Sequence, residues 1–393
     1  MIEPLLTIVP SVPVWVDGGR LVLDRKFHDG ALQYVKAWPG RVRCLMRRAS
    51  GAWSGFGAVR ARPADLPYEV TLLATDAAIE AGHVRGAAVV LAAADDHHQL
   101  QVAALCRQVG ARCVYVIEYI PETRHQINRL ESPGLLTRLR RDHFLRRRER
   151  DRRAAFDACD GLQANGVPAH EAYAAHGNCL LYLDTRMSRR MLIDEAALEQ
   201  RLQGLRTPRP LQLAFSGRLI AMKGADHLVR VAQRLQARGV RCEWTVYGQG
   251  ELEPSMRRQV RDAGLESVFR MPGSVDFETD LVPAIQRGVD LYVMLHRQSD
   301  PSCTYLETLS CGIPIVGYAN RALAGVLRLA DVGVGVPVDD VEAVVEAVAG
   351  LDQNRARLAE LSRAAARFSR EHAFEDTFVR RVRHLEALLE AVP

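Results

Sequence analysis

The second half of the chain alternates short apolar runs with amphipathic segments, and no other feature of the sequence restricts the fold as strongly. The segment ADHLVRVAQRLQARG follows the apolar run LQLAFSG and places Leu228, Val231 and Leu235 on one helical face. The apolar runs that continue the series are CEWTVYG, VFRMPG, VDLYVML and IPIVGY. Strands that alternate with helices in this way form a parallel sheet with helices on both faces. The sequence therefore predicts a doubly wound α/β domain.

The first half shows the same alternation less regularly. Its apolar runs are LLTIVP, VRCLMR, VTLLAT, AAVVLAA and CVYVIEY, with helical segments near 30–38 and 100–109. We therefore expect two doubly wound, parallel-sheet, Rossmann-like domains that face a cleft, because open parallel sheets bind ligands at the carboxyl ends of their strands. Pro208 and Pro210 predict a linker between them. The predicted parts are residues 1–206, residues 207–368, and a C-terminal helix at 369–393 that can cross back to the first domain.

Composition excludes several protein classes. The chain has 393 residues, 48% of them hydrophobic, which is enough for two ordinary cores. No apolar run approaches the roughly 18 residues of a transmembrane helix, and the N-terminus MIEPLLTIVP lacks the basic start of a signal peptide. The eight cysteines include no Cys-x-x-Cys pair, which argues against a disulfide framework or a zinc ribbon. We expect a cytoplasmic protein, with the inner face of the membrane as an alternative location.

Two loops after predicted strands carry groups suited to a phosphorylated ligand. SGRLIAMKG contains Gly217, Arg218 and Lys223, so that two cations flank the start of a helix. YGQGELE contains Gly248 and Gly250, which allow close backbone approach. The alternative for the two cations is a solvated surface position. The chain has no P-loop, no Gly-x-Gly-x-x-Gly and no Asp-x-Asp, so no metal ion is predicted at this site.

A third loop, SDPSCTYLE, leads into a short helix whose first amides form an anion site. Glu307 lies inside that helix, where its two oxygens can accept hydrogen bonds from a vicinal diol such as ribose. The spacing Thr304-x-x-Glu307 is also that of a capping box, and the residues alone leave both roles open. The residues predicted to bind a ligand here are Asp300, Ser302, Cys303, Thr304, Tyr305 and Glu307.

From about 211 to 368 the chain resembles the nucleotide-sugar half of the retaining family 4 GT-B glycosyltransferases. The resemblance rests on Gly-Arg-Leu and Lys-Gly after the first strand, on VYGQGELE and on YLETLSCGIPIVGY. It implies that Arg218 and Lys223 bind the donor diphosphate, that Glu307 binds ribose hydroxyls, and that Val275 lies against the base. The resemblance implies a nucleoside diphosphate sugar as donor, for which we expect a UDP- or GDP-sugar and no further cofactor.

The chain departs from that family at one position. The family usually carries a second glutamate eight residues before the first, and here Ser299 occupies the position. In the family that carboxylate contacts hydroxyls of the transferred sugar, so both the identity of the sugar and the activity are open. Asp300, one position further along, can supply the missing carboxylate, or it can only cap the turn.

The first half offers candidates for the acceptor side. Glu118 ends a predicted strand where the family often has a histidine, and it can stabilise positive charge, bind an acceptor hydroxyl or pair with an arginine. The predicted catalytic residues are Glu118 with Arg218 and Lys223, which would neutralise the leaving diphosphate. The residues predicted to bind the acceptor are Gly18, Gly19, His28, Asp96 and His97. Adjacent side chains at 97 and 98 are expected to point apart, so no metal site is predicted there.

The segment 138–153 is strongly basic, with nine arginines and three acidic residues. Three interpretations are open: a solvated helix face, an anionic membrane surface and an acidic acceptor. Nucleic acid is not expected, because neither interleaved aromatic residues nor a known binding module accompany the charges.

The sequence as a whole favours a metal-independent retaining glycosyltransferase of the hexosyltransferase type, with a role in polysaccharide biosynthesis. Its predicted partners are a nucleotide-sugar donor and a glycan, lipid-linked or small-molecule acceptor. Two alternatives remain: a nucleotide-sugar epimerase or hydrolase on the same fold, and a non-catalytic nucleotide-sugar-binding protein.

Overall fold

A computed structural model describes residues 3–51, 53, 57–132 and 134–390, without the side chains at 130 and 131. The chain forms two compact units. The first consists of Met1–Tyr182 together with Glu375–Pro393, and the second of Leu183–Phe374.

Strands and helices alternate along most of the chain. The strands are β1 Leu5–Val9, β2 Trp15–Asp17, β3 Arg20–Asp24, β4 Arg41–Arg47, β5 Ala58–Ala61, β6 Glu69–Leu73, β7 Val89–Ala93, β8 Arg112–Ile117, β9 Gly161–Asn165, β10 Cys179–Tyr182, β11 Leu211–Ser216, β12 Cys242–Tyr247, β13 Phe269–Gly273, β14 Leu291–Met294, β15 Ile315–Tyr318 and β16 Gly333–Val336. The helices are α1 Arg25–Ala37, α2 Ala81–Val84, α3 Val102–Val109, α4 Pro121–Glu131, α5 Leu135–Asp157, α6 Gly166–Tyr173, α7 Glu195–Gly204, α8 Ala225–Ala237, α9 Glu253–Asp262, α10 Val282–Gly288, α11 Cys303–Ser310, α12 Arg321–Leu329, α13 Val341–Gln353, α14 Arg355–Arg370 and α15 Phe374–Glu390.

The first unit is built on a parallel sheet of seven strands, in the order β10-β9-β8-β7-β1-β4-β6. β1 lies at the point where the winding reverses, with Leu6 opposite Val42 of β4 and Val89 of β7. A separate antiparallel sheet contains β2, β3 and β5. The five strands predicted for this half are confirmed, and β9 and β10 extend the sheet beyond them.

The second unit is built on a parallel sheet of six strands, in the order β13-β12-β11-β14-β15-β16. This is the strand order of a Rossmann fold, in which the winding reverses between the first and fourth strands. Phe215, Trp244 and Leu291 of β11, β12 and β14 are fully buried between the sheet and its helices. The prediction of two doubly wound parallel-sheet domains is confirmed. In such a sheet a ligand binds outside the carboxyl ends of β11 and β14.

The predicted domain boundary at 206/207 is wrong, because the second unit begins at Leu183. Helix α7 belongs to the second unit: the buried Arg201 donates hydrogen bonds to the carbonyl oxygens of Cys311 and Gly312, at 2.8 and 2.6 Å. Leu198 and Leu202 join the same core. The prolines mark a turn inside this unit rather than a linker between the units.

The C-terminal helix crosses back to the first unit, as predicted, but from Glu375 rather than from 369. Arg381 of α15 donates to Oε1 of Gln163 on β9 at 2.8 Å, and the Gln163 amide donates to the Arg381 carbonyl at 3.0 Å. The ring of Phe378 meets that of Tyr34 edge to face, 5.0 Å between centroids. α15 is therefore part of the first unit's fold, while the residues up to Phe374 complete the second.

Candidate functional site

The loops after β11 and β12 are pressed together at the carboxyl edge of the second sheet. The Leu219 amide donates to the Gln249 carbonyl at 2.9 Å. Gly248 has a φ of 125°, and a Cβ there would overlap the carbonyl oxygen of Gly217. Only glycine fits this contact. Gly248 therefore holds the loop that carries Arg218 in place, and a role for Gly217 or Gly248 in contacting a ligand stays a prediction.

Lys223 is the last residue of a single helical turn that packs against the end of β14. Gly224 follows it with a φ of 68°, where a Cβ would overlap the carbonyl oxygen of Leu295. Burial lowers the pKa of Lys223, Asp300 acts to raise it, and the charge of Arg218 lowers it further. These interactions show that Arg218, Lys223 and Asp300 lie near one another at the carboxyl ends of β11 and β14. Arg218 is exposed and Lys223 is half-buried.

Several residues that follow β14 are almost fully buried. Ser299 is 1% exposed, and Asp300 accepts a hydrogen bond from the side chain of Gln298. His296 is also 1% exposed, and among the described residues neither of its ring nitrogens has a hydrogen-bond partner. Burial, with Lys223 nearby, lowers the pKa of His296 well below its ordinary value, so its ring is neutral. His296 was not among the predicted site residues, although it directly follows the apolar run VDLYVML.

Helix α11 begins at Cys303, with Ser302 as its N-cap. Glu307 is thus the fifth residue of the helix, and the capping-box alternative, which needs the third, is wrong. In the first turn of α11 the Tyr305 amide donates to the Ser302 carbonyl at 3.1 Å. Cys303, the first residue of the helix, acts to raise the pKa of Lys223, which burial lowers. The N-terminus of α11, Arg218 and Lys223 together form a candidate anion site, and binding of a diphosphate there stays a prediction.

Glu307 is held by Arg186, a contact that no sequence pattern indicated. Nε of Arg186 donates to Oε1 of Glu307 at 2.8 Å, and the guanidinium lies over the ring of Phe277, 3.9 Å from its centroid. The side chain of Glu307 is 10% exposed and that of Arg186 is 42% exposed. Burial acts to lower the pKa of Arg186, but the Glu307 carboxylate together with Cys303 and Asp184 raises it above its ordinary value. Arg186 and Phe277 therefore orient a carboxylate one helical turn from the anion site.

We expect Arg186→Gln to lower the free energy of unfolding by about 1 kcal/mol, because it leaves the buried Glu307 carboxylate without its cation. Arg186 is partly exposed, so solvent screening keeps the effect below that of a fully buried pair. Arg190→Gln is the matched control, since Arg190 pairs with Glu278 at 2.8 Å with both side chains at least half exposed. It should change stability by less than about 0.5 kcal/mol. Urea denaturation measures both, and equal losses would contradict the assigned role of Arg186.

The other residues predicted to bind the donor differ in their exposure and in their place in the fold. Val275 is half-buried in the loop after β13, two residues before Phe277. Thr304 lies in the first turn of α11 with Cys303. The prediction that the Tyr305 side chain binds the donor is wrong. Tyr305 is 3% exposed, and its hydroxyl accepts a hydrogen bond from the Asn320 side chain at 3.0 Å. Its side chain therefore packs in the core and is not available to a ligand.

Asp95 organises the predicted acceptor residues at the ends of β7 and β8. It accepts a hydrogen bond from the amide of Glu118 at 2.8 Å and pairs with Arg124, and burial raises its pKa while Arg124 acts to lower it. Glu118 is exposed at the carboxyl end of β8. Its side chain is thus placed at the sheet edge where ligands bind, and its catalytic role stays a prediction.

The expectation that His97 and His98 point apart is wrong. Their rings lie 3.9 Å apart, and with Asp96 they bring three ligand atoms within 4.8 Å of one another. Asp96 also accepts hydrogen bonds from the His98 amide and the Gln99 side chain, so it caps this single helical turn. The cluster is exposed at its histidines. The geometry could accommodate a cation, and the absence of a metal from the reaction stays a prediction.

The remaining acceptor candidates have local structural roles. Gly18 and Gly19 form the turn between β2 and β3, with φ values of 54° and 77° that favour glycine. His28 of α1 lies 2.8 Å from the hydroxyl of Tyr68 through Nδ1, and burial lowers its pKa. These residues belong to the first unit, whereas the anion site belongs to the second.

The second unit is similar to a known protein family over most of its length. The model for glycosyl transferases group 1 matches residues 199–368. This part of the chain, somewhat less than half of its length, is similar to that family. The match contains all three loops of the anion site as well as Glu307.

Curated relatives agree over part of the chain. The chain is 30% identical over 155 residues to the 2-deoxystreptamine N-acetyl-D-glucosaminyltransferase of Streptomyces fradiae. The alignment covers 39% of this chain and 36% of the relative. It is 26% identical over 166 residues to the putative colanic acid biosynthesis glycosyltransferase WcaL of Salmonella typhimurium, covering 39% and 36%. The chain thus aligns with little more than a third of the length of these two relatives.

Solved structures match nearly the whole chain. Anabaena HepE, crystallised in complex with UDP, matches with a TM-score of 0.67 and 13% identity over 98% of this chain and 100% of that one. WaaG, a glycosyltransferase involved in lipopolysaccharide biosynthesis, matches with a TM-score of 0.58 and 13% identity over 96% and 98%. At these identities the likeness is one of fold, and the chain has the GT-B fold.

Proposed function

We propose that this protein is a retaining glycosyltransferase that uses a nucleoside diphosphate sugar as donor and needs no metal ion. The observation that carries the proposal is the grouping of Arg218, Lys223 and the N-terminus of α11 at the switch point of a Rossmann sheet, with Glu307 one turn further along the helix. Cations and amides suit a diphosphate, and a carboxylate suits the hydroxyls of ribose. UDP bound to HepE, which has the same fold, supports a UDP-sugar as the first donor to test.

In the proposed reaction, the bond between the anomeric carbon of the sugar and the diphosphate oxygen breaks, and a bond to an acceptor oxygen forms. Negative charge develops on the leaving diphosphate, where Arg218, Lys223 and the α11 amides stabilise it. The acceptor hydroxyl loses its proton to the leaving phosphate or to Glu118. A sugar acceptor would bind on the first unit, where Glu118 and Asp96 lie at the ends of adjacent strands.

Incubation with UDP-, GDP-, ADP- and dTDP-sugars tests the proposal. Release of nucleoside diphosphate that depends on an added acceptor, persists in EDTA and yields the donor's anomeric configuration in the product supports it. Acceptor-independent turnover to an epimer or a free sugar would favour an epimerase or hydrolase instead. Loss of all turnover in EDTA would contradict metal independence and direct attention to the Asp96, His97 and His98 cluster.

One observation favours a second candidate, a nucleotide-sugar-binding protein without transferase activity. Ser299 stands where the family usually has a carboxylate for the transferred sugar, and it is 1% exposed. The nearest carboxylate along the chain is that of Asp300, which is half-buried and acts to raise the pKa of Lys223. Tight binding of a nucleotide sugar with no turnover across a broad acceptor panel would decide for this candidate.

Donor affinity is expected to fall as pH rises through the alkaline range. Lys223 attracts the diphosphate only when it is protonated, and burial lowers its pKa below the ordinary 10.5. The attraction is therefore complete at low pH and is lost at a lower pH than for an exposed lysine. Lys223→Arg keeps its charge throughout this range and should flatten the profile. Calorimetric titration with UDP from neutral to alkaline pH measures the difference, and parallel profiles would refute the assignment.

A further inference from the structure

The outer surface of α5 exposes large apolar side chains that a solvated helix would normally bury. Leu135, Leu136, Leu139 and Phe144 are 67%, 73%, 55% and 50% exposed. Half of the eight large exposed apolar residues among the described residues lie in these first three turns of one helix. Single exposed apolar residues are normal, but a cluster of this kind marks an interaction surface.

The opposite side of α5 is firmly anchored in the first unit. Asp142 lies 2.7 Å from Nδ1 of His125 and accepts from the Asn128 side chain at 2.8 Å, both on α4. Further along, the buried Arg152 donates to the carbonyl of Ala94 at 3.0 Å, and Phe156 is 3% exposed. The helix is therefore a rigid part of the fold, and its exposed surface is presented in a fixed orientation.

Charge on the exposed surface has one sign. Residues 135–148 contain six arginines and a single acidic residue, Asp142, which faces α4. Arg140, Arg146 and Arg147 are exposed, and helical periodicity places them on the same side as Leu136 and Leu139. The exposed surface of this segment is thus apolar and positive together.

We propose that this surface of α5 docks on an anionic lipid bilayer. Leucine side chains would enter the boundary between headgroups and acyl chains, and arginines would pair with lipid phosphates, which is how basic amphipathic helices bind membranes. A second copy of the chain is disfavoured, because a symmetric contact would oppose two clusters of arginines. Every helix among the described residues is too short or too polar to span a bilayer, so the binding would be peripheral. The proposal does not depend on the proposed enzymatic function.

Vesicle co-sedimentation of the full chain tests the proposal directly. The vesicles are phosphatidylcholine alone and phosphatidylcholine mixed with phosphatidylglycerol, each at low and high salt. An apolar variant carries Leu135→Ser, Leu136→Ser and Leu139→Ser. A charge variant carries Arg140→Gln, Arg146→Gln and Arg147→Gln. A control variant of the same net charge carries Arg258→Gln, Arg261→Gln and Arg287→Gln, at exposed positions of the second unit.

Binding is expected only to the anionic vesicles and to weaken with salt. The charge variant should bind about 100-fold more weakly, because each basic residue near an anionic surface contributes roughly a factor of five. The apolar variant should lose at least about tenfold, and the control should bind like the parent. Equal binding to both vesicle types would overturn the proposal. So would a leucine-dependent dimer in solution that does not sediment with vesicles, or binding to heparin and vesicles alike without any effect of the leucines.

Discussion

Replacing Lys223 with methionine is expected to lower kcat/KM for sugar transfer about 1,000-fold. Removing one group that stabilises developing charge in a buried site commonly costs about 100- to 1,000-fold in rate, and Lys223 is the partly buried cation of the anion site. Methionine matches the length and apolar stem of lysine and removes only the charge. Steady-state kinetics with the donor found by the nucleotide-sugar panel measures the loss.

Stability separates this effect from misfolding. Burial lowers the pKa of Lys223, which means that folding disfavours its charged form. Lys223→Met should therefore unfold at the same temperature as the parent or at a higher one. Lys36→Met is the matched control, because Lys36 is exposed on α1 and no part of the site. Full activity of Lys223→Met would show that Lys223 does not act on the diphosphate.

Replacing Glu307 with alanine is expected to weaken binding of the nucleoside diphosphate about 100-fold. A hydrogen bond to a charged group contributes about 1.5–3 kcal/mol, and the Glu307 carboxylate would accept two of them from a ribose diol. Water that hydrates the diol in the variant recovers part of this free energy. Glu307→Gln should have a smaller effect, about tenfold, because its amide oxygen can still accept from Arg186. Isothermal titration with the ribonucleotide and its 2′-deoxy form measures both variants.

The comparison of ribose with deoxyribose identifies what Glu307 contacts. The parent should prefer the ribonucleotide, and Glu307→Ala should bind the two forms equally. A variant that loses affinity but keeps the preference would place Glu307 in a structural role beside Arg186, away from the sugar. Thermal unfolding of Glu307→Ala controls for that role.

Local patterns in the sequence predicted those parts of the fold that depend on neighbours in the chain. Five strands of the second unit, β11 to β15, and the loops after β11 and β14 follow from runs of apolar residues and from the polar residues that end them, whereas β16 was not predicted. β9 escaped prediction because it buries Gln163 and Asn165, which interrupt any apolar run. Their polar groups are satisfied from elsewhere, as when Gln163 bonds with Arg381 of α15.

Sequence patterns identified candidate site residues where one loop supplies several groups, and they missed contacts between distant segments. Arg186 and Glu307 are 121 positions apart, and neither periodicity nor spacing can relate residues so far apart in the chain. The capping-box interpretation was wrong because it depends on the exact first residue of α11, and sequence patterns do not fix helix ends to a single residue. The domain boundary failed because two prolines mimic a linker, while the contacts of Arg201 that place α7 in the second unit are tertiary.

The most direct test of the account is whether the second unit recognises two linked phosphates. Binding of a nucleoside diphosphate and of its monophosphate is measured by calorimetry for the parent and for the double variant Arg218→Ala, Lys223→Ala. The account predicts that the parent binds the diphosphate far more tightly and that the double variant loses this preference while it still binds the monophosphate. An undiminished preference in the double variant would contradict it.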